Sequence, residues 1–191
     1  GACNHRCTFC GPEMLGYKTN YLKEPMLAER FAEMKELRET DPDGLGWKSI
    51  QFAGEGEPML HPKLGKVFEH ARTAGIDVCM LSNGIALTEK RIYEVLPFIN
   101  IYLQVSLNAG TPESYALIHQ TNVRDWDRLW INLANLVRIK RELGSTCQIG
   151  ANLTVLVKEA ILENGMIVPP NWPDVEQLAL LLMLRGLFDH D

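Results

Sequence analysis

Gly1-Ala2-Cys3-Asn4-His5-Arg6-Cys7-Thr8-Phe9-Cys10-Gly11-Pro12 opens the chain, and it holds three of the five cysteines in the spacing C-x3-C-x2-C. Thiolates are the natural ligands of soft metals and iron–sulfur centres. Packing gives buried cysteines no reason to crowd into one short loop. The count is as informative as the spacing. A closed structural zinc site takes four protein ligands, and a fully protein-bound [4Fe–4S] cluster takes four cysteines. Three thiolates leave one metal position without a protein ligand. Two other readings of the stretch remain: a zinc knuckle with His5 as fourth ligand, and a disulfide. The odd cysteine count, with nothing that suggests secretion, disfavours the disulfide.

Working outward, 191 residues predict one domain, and an apolar content of 46% is enough for a sizeable core. The net charge of −5 argues against non-specific coating of nucleic acid. No apolar run is long enough to span a bilayer; the richest, Leu178 to Leu184, ends at Arg185-Gly186. Cytoplasm is the expected compartment. No internal repeat or linker divides the chain.

The pattern then alternates. Helix is predicted from Pro25 to Arg38, with Leu27, Phe31, Met34 and Leu37 on one stripe. Strand Ser49–Ala53 runs into Gly54-Glu55-Gly56-Glu57-Pro58. A helix through Leu64, Val67, Phe68 and Ala71 stops at Gly75. Strand Ile76–Leu81 runs into Ser82-Asn83-Gly84, and Thr88 is placed to cap a short helix. Strand Ile101–Leu107 ends in Ser106-Leu107-Asn108. Thr111-Pro112 starts another helix, and a longer one spans Asp125 to Leu143. A strand from Gln148 to Val157 carries Asn152, and Pro173 begins a last helix to Arg185. Strands alternating with helices imply a parallel sheet. Periodicity does not choose between an open sheet and a barrel, but both put active groups at the carboxyl ends of the strands. Each polar cluster follows a strand directly.

The cysteine spacing, with Phe9 just before the last cysteine, resembles the cluster loop of the radical S-adenosylmethionine (SAM) enzymes. That resemblance implies an α/β fold, a partial (βα)6 TIM-type barrel of parallel strands. It covers most of the chain, and residues 1–191 read as one core domain. The cluster loop comes with no strand before it and no sixth strand is visible, so truncation at both ends is expected. The resemblance implies a [4Fe–4S] cluster on Cys3, Cys7 and Cys10, with the fourth iron chelated by SAM. It further implies reductive cleavage of SAM to a 5′-deoxyadenosyl radical that abstracts hydrogen from substrate. The implied partners are an electron donor such as flavodoxin or ferredoxin and an unidentified small-molecule or peptide substrate.

Further residues follow from the same resemblance. Gly56 and Glu57 match the motif that binds the SAM amino group; glycine allows close backbone approach, and a carboxylate suits an ammonium. The incomplete Gly-x-Gly-x-x-Gly, with Pro58 inside it, excludes a dinucleotide fingerprint. Ser106, Asn108 and Asn152 match strand-end positions that face SAM, Phe9 is expected against the adenine, and Ser82 is a weaker substrate contact. Cys79 and Cys147 read as core residues. The five histidines show no metal-ligand spacing.

Overall fold

The computed structural model describes residues 2–11, 16, 20–41, 43, 46–156, 159–161, 165–171, 174, 175, 177 and 178. Strands β1 (Ser49–Phe52), β2 (Asp77–Ser82), β3 (Tyr102–Ser106) and β4 (Gln148–Asn152) form one sheet in that order. Every neighbouring pair is parallel, with Phe52 opposite Met80, Ser82 opposite Val105 and Ser106 opposite Asn152. Helix α1 (Glu24–Thr40) precedes β1, and α2 (Leu64–Thr73), α3 (Glu89–Val95), α4 (Pro112–His119) and α5 (Arg124–Leu143) connect the strands in turn. These are βα units sharing one parallel sheet, as the alternating pattern implied.

The core explains the order. β2 buries Val78, Cys79 and Met80 in succession. Such a run suits a strand covered on both faces, as parallel sheets require. β1 instead alternates between exposed and half-buried positions, and it ends the order of the sheet. α2 packs on β2 with Leu64, Val67, Phe68 and Ala71 buried; α5 packs on α3 and α4 with Trp126, Leu129, Leu133, Leu136 and Ile139 buried. Each fully buried Leu, Ile or Phe contributes about 1.5–3 kcal/mol.

Capping is right at one helix and incomplete at another. Thr111 caps α4 in a full capping box with Ser114, and Pro112 occupies the first turn. Thr88 stands at the N-cap of α3, but its side chain makes no cap hydrogen bond. In α1 the expected stripe is only partly buried. Phe31 is 1% exposed and Leu37 is 54% exposed, because among the described helices this one packs mainly on α2.

The strand expected over 148–157 ends at Asn152. Beyond it, side chains rather than a neighbouring strand take the backbone donors. Thr154 N–H donates to Asn108 Oδ1 at 2.7 Å, and Leu156 N–H to Asn171 Oδ1 at 2.6 Å. A short antiparallel pair, β5 (Ala160–Ile161) with β6 (Ile167–Val168), follows and was not foreseen. Of the expected last helix, residues 174, 175, 177 and 178 are helical; Pro173 and 179–185 lie outside the described residues. Among the described residues no helix is long and apolar enough to cross a membrane.

Candidate functional site

The carboxyl ends of β1, β2 and β3 and the cysteine loop enclose a cavity of about 460 Å³. Cys3, Cys7, Phe9 and Cys10 line one side, with Gly56, Glu57, Ser82, Ser106 and Asn108 among the residues opposite. Nine of the ten residues anticipated for the site therefore meet on one cavity. Asn152 is the exception. It stands opposite Ser106 in the sheet and its carbonyl accepts from Leu107 N–H at 3.1 Å, but it does not line the cavity.

Backbone bonds hold the cysteine loop at both ends. Glu57 N–H donates to the Ala2 carbonyl at 2.7 Å. Arg6 and Thr8 N–H donate to the carbonyls of His119 and Ile118 at 3.0 and 2.9 Å. The last carbonyls of a helix have no partner within it, so the end of α4 is a natural anchor. Past the last of these anchors, Cys10 N–H closes a turn onto the Cys7 carbonyl at 3.0 Å.

All five cysteines are free thiols. Burial, with the neighbouring Cys3 and Cys10 acting the same way, pushes the Cys7 thiol up to about 12. Burial also raises Cys3, and Glu57 and Cys10 add to it against a hydrogen bond from His5 N–H. The three sulfurs share one half-buried loop, where burial opposes ionisation of Cys3 and Cys7 and a cationic centre would favour it. This donor set fits an iron–sulfur cluster.

Glu57 has a different setting. Its carboxylate is 5% exposed and receives three hydrogen bonds: Met59 N–H at 3.0 Å and Ser82 O–H at 2.7 Å on Oε1, and Asn83 N–H at 2.7 Å on Oε2. Burial raises its pKa while those donors lower it, and the net direction is up. No cationic side chain contributes to that shift. Among the described residues, the buried carboxyl thus meets the cavity with hydrogen-bond donors but no cationic partner. Glu55, two residues earlier, is exposed. Gly56 between them holds φ at +134°, a conformation that favours glycine.

Ser82-Asn83-Gly84 knits the pieces together. Ser82 O–H donates to Glu57, and its oxygen accepts from Gly84 N–H at 3.0 Å. Asn83 Nδ2 donates to Asn4 Oδ1 at 2.8 Å, joining this turn to the cysteine loop. Gly84 has φ +81°, and a Cβ there would lie 2.4 Å from Leu129 Cδ1 and 2.9 Å from Val105 Cγ1. Gly84→Ala should destabilise the chain by about 2 kcal/mol, from a strained φ and an overpacked contact. A urea midpoint equal to the parent's would refute that close packing.

Sequence reasoning missed His119 and weighed His5 only as the fourth ligand of a zinc knuckle. His5 and His119 lie beside Cys7, and the ligand atoms of the three are within 4.8 Å of one another. His119 Nδ1 is 3.2 Å from Cys7 Sγ. Burial drives the pKa of His5 down to about 4 and of His119 to about 3, so both rings are neutral near neutral pH. Among the described residues, both ring nitrogens of His5 are buried without a hydrogen-bond partner, as are Thr8 Oγ1, Tyr115 Oη and Asn152 Oδ1. His61, four residues after Glu57, accepts from Lys63 N–H on Nδ1 and reaches the Leu22 carbonyl with Nε2.

Comparison with known proteins places this geometry. A family model described as the Radical SAM superfamily matches residues 1–159. The GTP 3',8-cyclase of Chlorobaculum tepidum is 36% identical over 88 residues, which are 45% of this chain and 24% of that protein. An S-adenosylmethionine-dependent nucleotide dehydratase of Lacinutrix mariniflava is 31% identical over 112 residues, 59% of this chain and 22% of that protein. The chain thus spans less than a quarter of either curated relative. Among solved structures, Streptococcus suis SuiB bound to S-adenosylmethionine superposes with a TM-score of 0.62. That match covers 97% of this chain and 36% of SuiB at 15% identity, a likeness of fold.

Proposed function

Because this chain belongs to the radical SAM superfamily, we propose that it is the core of an enzyme holding a [4Fe–4S] cluster on Cys3, Cys7 and Cys10, with SAM beside it. The superfamily uses that cluster and that cosubstrate, and SuiB is solved with SAM bound. When bound, the cluster supplies the electron that cleaves SAM to methionine and a 5′-deoxyadenosyl radical, which takes hydrogen from an unreactive substrate carbon.

The convergence of the three cysteines with Gly56, Glu57, Ser106 and Asn108 on one cavity carries this reading. Three thiolates leave one iron for the amino and carboxylate groups of SAM. Glu57 provides the buried negative charge that complements the SAM ammonium, and Gly56 lets the backbone approach it. Ser106 and Asn108 offer polar groups to the carboxylate or ribose, with Asn152 alongside Ser106. Phe9, packed partly on the core, leaves a ring edge on the cavity for the adenine. Ser82 lines the same wall as a support for Glu57 and as a weaker substrate contact. A flavodoxin- or ferredoxin-type protein would deliver the electron. The substrate is a small molecule or peptide.

Anaerobic reconstitution tests the reading. A brown protein with about four iron per chain, whose electron paramagnetic signal changes on adding SAM, is the expected result. A colourless protein with one zinc, held by Cys3, Cys7, Cys10 and His5, would overturn it.

A further inference from the structure

Among the described histidines, His119 alone meets the cysteine loop through a ring hydrogen bond to sulfur. It closes α4, is fully buried, and sits with its ring 4.3 Å from that of Tyr115 and 4.9 Å from that of His5. Nδ1 faces Cys7 Sγ at 3.2 Å. Nε2 has two neighbours of opposite kind: the Leu107 carbonyl at 3.2 Å and Asn108 Nδ2 at 3.5 Å. The amide of Asn108 is not free to turn over. Its Oδ1 accepts from Thr154 N–H at 2.7 Å, which fixes Nδ2 toward the histidine.

Each ring tautomer therefore has a complete set of partners. With the proton on Nε2, the ring donates to Leu107, and Nδ1 accepts the Cys7 S–H. With the proton on Nδ1, the ring donates to a Cys7 thiolate, and Nε2 accepts from Asn108. The ring is neutral in both arrangements. The change of Cys7 from thiol to thiolate releases one proton to water, and only the position of the ring proton differs.

We propose that His119 is a positioning residue for Cys7, holding its sulfur in both the thiol and the iron-bound state and setting the reduction potential of the bound cluster. The proposal rests on the cluster reading above. Two general facts connect the geometry to the potential. Hydrogen bonds to cluster sulfurs are among the determinants of iron–sulfur potentials, and partners beyond the ligands orient them and tune the metal. The N–H donor would stabilise the reduced, more negative cluster and so raise its potential. Asn108 has a second part in this arrangement, because it is the group that lets Nε2 act as an acceptor. The end of β3 is then tied to the cluster through one imidazole. Cys7 is common to this contact and to the cysteine loop, so His5, Cys7 and His119 do not make a metal site of their own.

The test compares the reconstituted parent with His119→Phe, which keeps an aromatic ring of similar size against Tyr115 but has no nitrogen. The readouts are iron per chain and the midpoint potential from a redox titration followed by electron paramagnetic resonance. The expected result is iron content close to the parent's and a midpoint displaced to more negative potential. A second measurement follows the ring itself. In parent protein carrying 15N in the histidine rings only, pulsed electron paramagnetic resonance of the reduced cluster should show a weak coupling to one ring nitrogen that is absent from His119→Phe. Full iron with an unchanged midpoint in His119→Phe, or no nitrogen coupling in the labelled parent, would overturn the role of His119 and leave the cluster assignment standing. A parent that assembles no cluster would overturn both.

Discussion

Alanine at Cys3, Cys7 or Cys10 should reduce the iron bound after anaerobic reconstitution to background, while Cys79→Ala and Cys147→Ala should keep the parent's iron. The two sets differ in place. The first three line the cavity. Cys79 sits on β2 opposite Gln51, its thiol donating to the Ile50 carbonyl at 3.4 Å. Cys147 is fully buried before β4, with its thiol toward the Gln148 carbonyl at 3.6 Å. Shortening either leaves a small void costing on the order of 1 kcal/mol, which affects stability and not metal content. Removing a ligand from a three-thiolate set leaves too few attachments for a cluster whose fourth iron already lacks a protein ligand. Colorimetric iron and the visible spectrum decide the matter. Iron loss in Cys79→Ala equal to that in Cys7→Ala would sink the assignment.

Much of this site could be read before any coordinates. The cysteine spacing is local, and the clusters after β1, β2 and β3 sit where parallel βα units leave strand ends uncovered. Alternation along a strand and a following turn then suffices to bring Gly56, Ser82, Ser106 and Asn108 to one side. His119 was illegible for the opposite reason. It closes an ordinary helix 112 residues from Cys7, and no periodicity links the two. The same holds for Asn171, which reaches the Asn108 carbonyl from beyond β6 and is 2% exposed. The two-residue strands β5 and β6 carry too little pattern to be recognised. Leu37 shows a limit of the stripe argument: spacing marks a face, but the neighbouring helix sets how much of it is covered.

At Glu57 the motif and the observed contacts point different ways, and its replacement is the second large effect expected. The Gly-Glu-Pro pattern points to a ligand, whereas the carboxylate already accepts three internal hydrogen bonds. Glu57→Ala strands those donors, each at about 1–3 kcal/mol when buried and unpaired. Even after relaxation, stability should fall by about 3 kcal/mol, against under about 0.5 kcal/mol for exposed Glu55→Ala. Glu57→Gln should not restore it. Its amide has one acceptor oxygen, and Met59 N–H and Asn83 N–H approach different oxygens, so either orientation turns NH2 toward a backbone donor. The folded pKa lies above the ordinary value. The carboxyl therefore favours the folded chain below its unfolded pKa, and that contribution is lost as pH rises through the folded pKa. A bound ammonium opposes this by favouring the ionised form. The stabilisation given by SAM should thus grow from acid to neutral pH in the parent and be flat with pH in Glu57→Ala. Denaturant melts of the three variants measure the first effect, and melts with and without SAM across pH measure the second. A Glu57→Gln protein that melts and binds SAM like the parent would mean that the charge of this carboxylate serves neither the fold nor the ligand.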